Sequence, residues 1–323
     1  MDQTKSLFTV FVFIILLWFY LLVRPKENDT KNISSSSSFI TKKETIEKGY
    51  SFMKEKKVLI CGITRDNAST LPLTLKWIDH ICSLFKESCV IIYENDSKDN
   101  TCSIIREWIS KRNPSNSSSS SQKRGSKRKK IENLLLVNTN KSKVVFISEK
   151  LQWSAASSTG GFSKGRFQKL SYCRNKYLQE IRKEEYEDYE YVINIDMDLW
   201  EGPLEGIAHS FGLAQEWDMV AANGVANRTT YYDSLAFRNQ EFPDTLNHMS
   251  QLAGAQKKYT ADMPLVPVHS AFGGMAIYKR KCLLTCNYSG EDCEHVLLHS
   301  CLKKDSSCSR LFVNPAMFLY YPF

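Results

Sequence analysis

Two aspartates one residue apart follow an apolar run in YVINIDMDLW, residues 191–200. Strand side chains alternate between faces, so Asp196 and Asp198 share one face while Met197 points to the other. Two carboxylates placed together repel each other and lose hydration unless a cation or hydrogen-bond donors compensate. Hard divalent ions prefer such oxygen ligands and share their remaining positions with substrate phosphates. The pair predicts a metal site, and a solvated strand end is the alternative.

Polar side chains also end two earlier apolar runs. CVIIYENDSKDNT, residues 89–101, carries Glu94 and Asp96, and the first apolar run is followed by Arg65. Acidic side chains at such strand ends accept hydrogen bonds from ribose hydroxyls. The alternative is an Asx-rich turn that only leaves the sheet.

A basic segment, GRFQKLSYCRNKYL, supplies positive charge for a diphosphate through Arg166, Lys169 and Arg174. Helical spacing places Arg166 and Lys169 on one stripe and displaces Arg174 around the helix. A solvated basic helix face is the alternative.

Two histidines lie one helical turn apart in DCEHVLLHSC. His295 and His299 lack the internal acid of an H-E-x-x-H protease site. One of them, assigned here to His299, is expected to complete a metal site begun by Asp196 and Asp198, and a packed or exposed helix histidine is the alternative.

The elements that must position these residues alternate between strand and helix. Alternation of this kind implies parallel pairing, so we expect one α/β domain with a Rossmann-like, mostly parallel sheet. Ligands of such sheets bind beyond the carboxyl ends of the strands. The predicted strands are 57–63, 89–96, 133–137, 143–147, 191–198, 217–224, 266–268, 275–279 and 311–315, and the predicted helices are 71–85, 101–109, 166–183 and 294–302.

The N-terminal part predicts a membrane anchor. After a short tail at 1–6, residues 7–23 contain no charge, and 24–56 are polar enough for a flexible stem before a domain at 57–323. A cleavable signal peptide is the alternative, with an apolar core of about 7–15 residues.

The cysteines indicate an oxidising compartment. Half of the ten fall between Cys282 and Cys308, without the C-x2-C pairs typical of zinc sites. Disulfides are therefore expected, with pairing open. Together with sequons such as Asn28, Asn32 and Asn227, they place the domain in the lumen of the Golgi or ER, as a single-pass type II glycoprotein.

The net charge of +8 comes from one segment. Residues 111–130 hold eight Lys or Arg and no acid, and the rest of the chain is balanced. The Ser-rich composition predicts a disordered surface insertion, with nuclear targeting or polyanion binding as the alternative. No nucleic-acid partner is expected.

These motifs resemble the GT-A class of nucleotide-sugar-dependent glycosyltransferases. RDN at 65–67, YENDSKDNT at 93–101, YCRN at 172–175 and DMD at 196–198 follow the order of that class. YYDSLAFR, SAFGGMAIYK, CEHVLLHSC and RLFVNP further resemble the fungal capsule-associated α-1,3-mannosyltransferase group. The insertion at 111–130 departs from that pattern.

The resemblance implies a metal-dependent hexosyltransferase that moves a sugar, mannose in the closer match, to a hydroxyl of a glycan or glycoprotein. The donor would lie along Arg65, Glu94 and Asp96, with Mn²⁺ or Mg²⁺ between Asp198 and the diphosphate. Asp196 would hold the ribose or a metal-bound water. The basic helix would add Arg166, Arg174 and Asn175 to the donor site.

Inverting transfer also needs a carboxylate base. Glu294 is the first candidate, Asp233 the second and Asp218 the third. Two other functions stay open: a non-catalytic carbohydrate-binding protein with the same fold, and a metal-dependent phosphoryl or nucleotidyl transferase.

Overall fold

Apolar runs form the strands of one sheet. A computed structural model describes residues 41–112, 131–138, 142–153, 164–199, 201–226, 230–243 and 259–321, all within the unit Ile40–Phe323. The strands of these residues are β1 Lys57–Thr64, β2 Glu87–Asn95, β3 Ile131–Asn138, β4 Ser142–Glu149, β5 Tyr191–Ile195, β6 Met219–Ala226, β7 Thr230–Tyr231, β8 Val266–Pro267, β9 Met275–Lys279 and β10 Leu311–Tyr321. The helices are α1 Lys42–Lys54, α2 Leu71–Ser83, α3 Thr101–Arg112, α4 Lys164–Ile181, α5 Leu204–Gly212 and α6 Glu294–Leu302.

The strand order is β3-β4-β2-β1-β5-β9-β6-β10-β8, with β7 paired to β6. Strands β4, β2, β1 and β5 are parallel neighbours, as are β6 and β10. Strand β9 runs antiparallel to both of its neighbours, β5 and β6. The α/β sheet predicted from the sequence is confirmed, and β9 is a reversed strand that the apolar pattern does not distinguish. Because β9 is antiparallel to both β5 and β6, these two strands run in the same direction. The carboxyl ends of β5, β6 and β10 therefore lie at the same edge of the sheet as those of β1 and β2.

Helices cover both faces of the sheet, which explains why its strands are apolar throughout rather than alternating. Leu59 and Cys61 of β1 belong to the core beneath α4 and α6. Val58 and Ile60 belong to the core beneath α1, α2, α3 and α5.

The flexible stem predicted for 24–56 is wrong over 41–56. Helix α1 starts with a capping box in which Glu44 N–H donates to Thr41 Oγ1 at 3.3 Å and Thr41 N–H donates to the Glu44 carboxylate at 2.6 Å. Gly49 of α1 lies so close to Ala208 of α5 that an added Cβ would overlap its carbonyl. The closest approach is made by Thr45, Gly49 and Gly212, and such small or polar residues do not appear in an apolar periodicity.

Two disulfides join the C-terminal cysteines. Cys282 pairs with Cys308, and Cys286 pairs with Cys301. The expectation of disulfides in this cluster is confirmed for four cysteines, and Cys293 remains a buried thiol.

Among the described residues, no helix has the length and apolar character to span a membrane. The tail at 1–6, the anchor at 7–23 and the stem up to residue 40 lie outside those residues, as does the insertion after Arg112.

Candidate active site

The turn after β5 is fixed by elements at the carboxyl edge of the sheet. The carbonyl oxygen of Met197 accepts hydrogen bonds from Asn67 Nδ2 at 2.6 Å and from Thr74 Oγ1 at 2.9 Å. Asn67 follows β1 and Thr74 belongs to α2. The aspartates on either side of Met197 are therefore held from two neighbouring elements.

Asp196 is anchored on both carboxylate oxygens. Its Oδ1 accepts from Arg174 Nη2 at 3.2 Å, and its Oδ2 accepts from Tyr321 Oη at 3.1 Å. Its backbone N–H donates to Gly274 O at 2.9 Å. Burial raises the pKa of Asp196, and the charge of Arg174 offsets part of that effect.

Asp198 lines a cavity at this edge of the sheet and is exposed to solvent. The surrounding protein raises the pKa of Asp198 to about 6, first by removing hydration and second through the charge of Asp196. A bound cation would relieve both effects, so Asp198 is the carboxylate better placed to bind one.

Arg174 links the aspartates to α6. Its side chain is buried, and its Nε donates to Glu294 Oε1 at 3.1 Å while its Nη1 donates to Asn194 Oδ1 at 3.3 Å. The guanidinium also lies 5.1 Å from the ring centre of Phe272. The structure therefore uses Arg174 to neutralise Asp196 and Glu294, whereas the sequence assigned it to the diphosphate.

Two consecutive glycines form a tight turn that contacts Asp196 and Asp233. Gly273 and Gly274 have φ values of 61° and 87°, in the left-handed region that favours glycine. A Cβ on Gly274 would overlap the hydroxyl of Tyr321, which binds Asp196. The N–H of Gly273 donates to Asp233 Oδ2 at 3.3 Å. This turn thus supports both Asp196 and the second candidate base.

Asp233 itself has a strained backbone, with φ at 70°. Burial raises its pKa to about 8, and the charges of Asp196 and Glu294 add to that shift. Three carboxylates therefore influence one another across the site, which favours the capture of a proton or a cation.

A cavity of about 740 Å³ joins these groups. One wall comes from the ends of β1 and β2 with Trp153, a second from α4, and a third from the segment after β7 with the start of α6. Its polar lining includes Arg65, Asp66, Asn67, Asn95, Arg166, Lys169, Arg174, Asp196, Asp198, Asp233, Glu294 and His295.

Two predicted nucleotide contacts are absent from the cavity lining. Glu94 Oε1 accepts from Ser97 N–H at 2.7 Å, and its Oε2 accepts from Ser148 Oγ at 2.6 Å. Asp96 accepts from the backbone N–H groups of residues 151–153 at 2.8, 2.9 and 3.4 Å. Both carboxylates are occupied in fixing the loops after β2 and β4, and Asp96 thereby positions the Trp153 wall.

The other predicted donor residues divide between the cavity and the core. Arg65 lines the cavity, with its Nη2 donating to Trp153 O at 3.5 Å, and Arg166 lines it close enough to lower the pKa of both aspartates. Asn175 is outside the lining, because its amide exchanges two hydrogen bonds with the backbone of Tyr288, each at 3.0 Å.

The assignment of His299 to the metal is wrong. Its Nδ1 bonds Ser270 Oγ at 2.8 Å and its Nε2 bonds Tyr278 Oη at 2.9 Å, so neither nitrogen is available. Burial lowers the pKa of His299 to about 3. His295, one turn earlier, is the histidine of α6 that lines the cavity.

The three candidate bases lie in different parts of the structure. Glu294 and Asp233 both line the cavity. Asp218 precedes β6 at the opposite edge of the sheet and pairs with Lys279 at 3.2 Å and with Arg310 at 2.9 Å. Its third-place candidacy as a base is therefore wrong.

Three positioning residues escaped sequence reasoning: Tyr321, Gly274 and Thr74. Tyr321 ends the apolar run LFVNPAMFLYY, and only the parallel pairing of β10 with β6 brings that end to the catalytic edge. The Gly-Gly pair in SAFGGMAIYK was the available signal for a tight turn.

The family described as Cryptococcal mannosyltransferase 1 matches residues 57–303. The chain belongs to this family. The resemblance of the sequence to the capsule-associated mannosyltransferase group is thereby confirmed. No curated protein matches this mannosyltransferase-family chain at a significant level.

Solved structures show a similar but distant arrangement. S. aureus TarS 1-349 is 14% identical, with 82% of this chain and 60% of that one covered and a TM-score of 0.44. Mannosyltransferase PcManGT from Pyrobaculum calidifontis, solved with GDP-Man and Mn²⁺, is 13% identical, with 86% and 64% covered and a TM-score of 0.41. Glucosyl-3-phosphoglycerate synthase from Mycobacterium tuberculosis is 10% identical, with 85% and 74% covered and a TM-score of 0.44. The family member described here spans less than two thirds of the length of the first two.

Proposed function

We propose that this protein is a metal-dependent glycosyltransferase of the GT-A class that moves a sugar from a nucleotide-sugar donor to a hydroxyl of a glycan or glycoprotein. The description of its family as a mannosyltransferase suggests mannose as the transferred sugar. The observation that carries the proposal is the placement of Asp198 beside Asp196 at the end of β5, facing a cavity with basic residues on one side and carboxylates on the other.

The donor set suits a hard divalent cation. Among the described residues, no group of three His, Cys, Asp or Glu side chains could hold a metal. Mg²⁺ is commonly held by one or two carboxylates, with substrate phosphates and water completing its shell. Asp198 would be the direct ligand, because both oxygens of Asp196 already accept hydrogen bonds. When bound, Mn²⁺ or Mg²⁺ supplies a Lewis acid that neutralises the nucleoside diphosphate as it leaves.

The nucleotide would lie along the ends of β1 and β2. Trp153 offers an aromatic ring there for the nucleobase of the donor. The backbone N–H of Trp153 donates to Asp96, which fixes its position. Arg65, Arg166 and Lys169 supply positive charge for the diphosphate. Glu94 would support this wall from behind through Ser97 and Ser148, whereas Asn175 would hold α4 against Tyr288.

The acceptor would approach from the side of Asp233 and Glu294. A base must take the proton of the attacking hydroxyl if the configuration at the anomeric carbon is inverted. Asp233 is favoured because Glu294 Oε1 is held by Arg174. A cation near Asp196 would lower the pKa of Asp233, since the charge of Asp196 contributes to its present value of about 8.

The disulfides support an oxidising compartment. We propose that the domain lies in the Golgi or ER lumen, attached through the predicted anchor at 7–23. Protease protection of the domain in sealed microsomes, lost on addition of detergent, would test this placement.

The activity is tested by incubating the purified protein with a panel of nucleotide sugars and measuring nucleoside diphosphate release with Mn²⁺ and with excess chelator. Release from one donor, lost in chelator, is expected. Binding without turnover would favour the carbohydrate-binding alternative, and release of pyrophosphate or nucleoside monophosphate would favour a nucleotidyl or phosphoryl transferase.

A further inference from the structure

His295 occupies an aromatic pocket at the cavity wall. Its side chain is 3% exposed, and its ring stacks on Phe272 with centroids 3.9 Å apart and planes inclined by 16°. Tyr288 meets the same ring edge-on at 5.5 Å. The ring is therefore fixed in orientation by packing on two sides.

The polar atoms of this fixed ring lack partners. Among the described residues, neither His295 Nδ1 nor Nε2 makes a hydrogen bond. The nearest carboxylate oxygen, Glu294 Oε1, is 3.8 Å from Nε2 and already accepts from Arg174. Buried polar groups are normally satisfied, as both nitrogens of His299 are on the next turn of the same helix. His295 lines the cavity, so a ligand there that reaches the ring past its packed neighbours would supply the missing partner.

The protonation state limits the ligand. Burial lowers the pKa of His295 well below its usual range, and the charges of Arg174 and His299 act in the same direction. A neutral imidazole has one N–H donor and one acceptor nitrogen. A hydroxyl also donates and accepts, whereas a phosphate only accepts and would face the nearby carboxylate of Glu294. The ring therefore matches an alcohol better than an anion.

We propose that the ring of His295 binds a sugar hydroxyl in the cavity and thereby positions a substrate for transfer. This inference rests on the proposed glycosyltransferase function and names a substrate contact within it. The hydroxyl belongs either to the donor sugar or to the acceptor. A higher KM for the donor in a His295 variant would indicate the donor sugar, and a higher KM for the acceptor would indicate the acceptor.

The variant His295→Phe keeps a flat ring on Phe272 and removes both nitrogens. We expect the KM for either the donor sugar or the acceptor to rise by about tenfold. The midpoint of thermal unfolding should stay constant or rise, because an unsatisfied buried polar group is removed. His295→Gln and His295→Asn return a donor and an acceptor near one ring nitrogen or the other, and at least one of them should restore the KM.

Three results would overturn the inference in an active wild type: unchanged KM values in His295→Phe, a deficit that neither amide repairs, or a changed Mn²⁺ activation constant with unchanged substrate KM values. The last would assign the ring to the cation. A wild type that transfers no sugar contradicts the proposed function and this inference together, so the two failures are distinguishable.

Discussion

Arg174 and Asp196 form a partly buried ion pair, with Nη2 3.2 Å from Oδ1, at the end of strand β5. The same guanidinium binds Glu294 at 3.1 Å. One guanidinium of α4 therefore links Asp196 after β5 to Glu294 of α6. Asp196 is a supporting group in this arrangement, and Asp198 is left to face the ligand.

Replacing Arg174 should damage the site and the fold together. Arg174→Met leaves the buried carboxylate of Glu294 and the partly buried one of Asp196 without their counter-charge. It is expected to cost about 3–5 kcal/mol in the free energy of unfolding. Arg174→Lys keeps the charge but cannot reach three acceptors, so a smaller loss of stability with a lower kcat is expected. Urea unfolding and initial rates measure both quantities.

Arg280→Lys is the matched control. Arg280 is also buried, and its Nε donates to Ile181 O at 2.9 Å, but the residue does not line the cavity. It should lower stability while leaving kcat per folded molecule unchanged. Equal losses of kcat in the Arg174→Lys and Arg280→Lys variants would argue against a positioning role for Arg174.

Gly274→Ala should disturb Asp196 through Tyr321. The substitution forces alanine into φ 87° and overlaps the Tyr321 hydroxyl, so we expect a loss of at least about 1 kcal/mol of stability and a clear fall in kcat/KM. Gly165→Ala in α4 has open space around its Cβ and should raise stability by about 0.5–1 kcal/mol. A Gly274→Ala protein as active as wild type would show that the Tyr321 contact is dispensable.

The stability of the metal-free protein should fall with rising pH because of Asp233. Its folded-state pKa of about 8 lies above its ordinary value of 3.8, so the folded state binds the proton more tightly than the unfolded state. The stabilisation is complete below pH 3.8 and is lost as the pH rises towards 8.

Asp233→Asn removes this titration, so wild type should lose stability relative to the variant between pH 5 and pH 8.5. Urea unfolding in chelator measures the difference. Parallel pH profiles for the two proteins would contradict the raised pKa.

Helix α1 should stabilise the domain although it precedes the segment matched by the family. Met53 is fully buried, and the Phe52 ring lies 6.3 Å from that of Phe211. A chain starting at residue 57 is expected to lose about 3 kcal/mol relative to one starting at 41, because burial of these side chains is lost. Identical unfolding midpoints would restore the view of 41–56 as a stem.

The sequence predicts the strands other than β7 and the helices α2, α3, α4 and α6, and it misses α1 and α5. The strands are predictable because a sheet covered on both faces needs continuous apolar strands, which KVLICGI and CVIIYEN provide. The sequence also places Asp198 at a strand end facing the cavity. Both predictions rest on local periodicity. The reversed direction of β9 and the disulfide pairing depend on contacts that periodicity does not encode.

Side-chain partners are harder to predict for the same reason. His295 and His299 lie one turn apart on the same helix. Only the tertiary structure shows that both nitrogens of His299 hydrogen-bond Ser270 and Tyr278, while His295 lines the cavity. Glu94 and Asp96 lie near the correct edge, but their carboxylates turn towards loop N–H groups and a serine hydroxyl. Tyr321 reaches Asp196 across 125 residues of sequence.

We expect Asp198 to bind the cation required for sugar transfer, and the Mn²⁺-dependent rate of Asp198→Asn measures this role. Nucleoside diphosphate release should fall by about 100-fold or more. The midpoint of thermal unfolding in chelator should stay constant or rise, because the charge of Asp198 is disfavoured in the folded protein. Asp188→Asn, which alters a side chain that is 81% exposed, is the control and should keep the wild-type rate. An Asp198→Asn protein with the wild-type rate and the wild-type Mn²⁺ dependence would contradict the account.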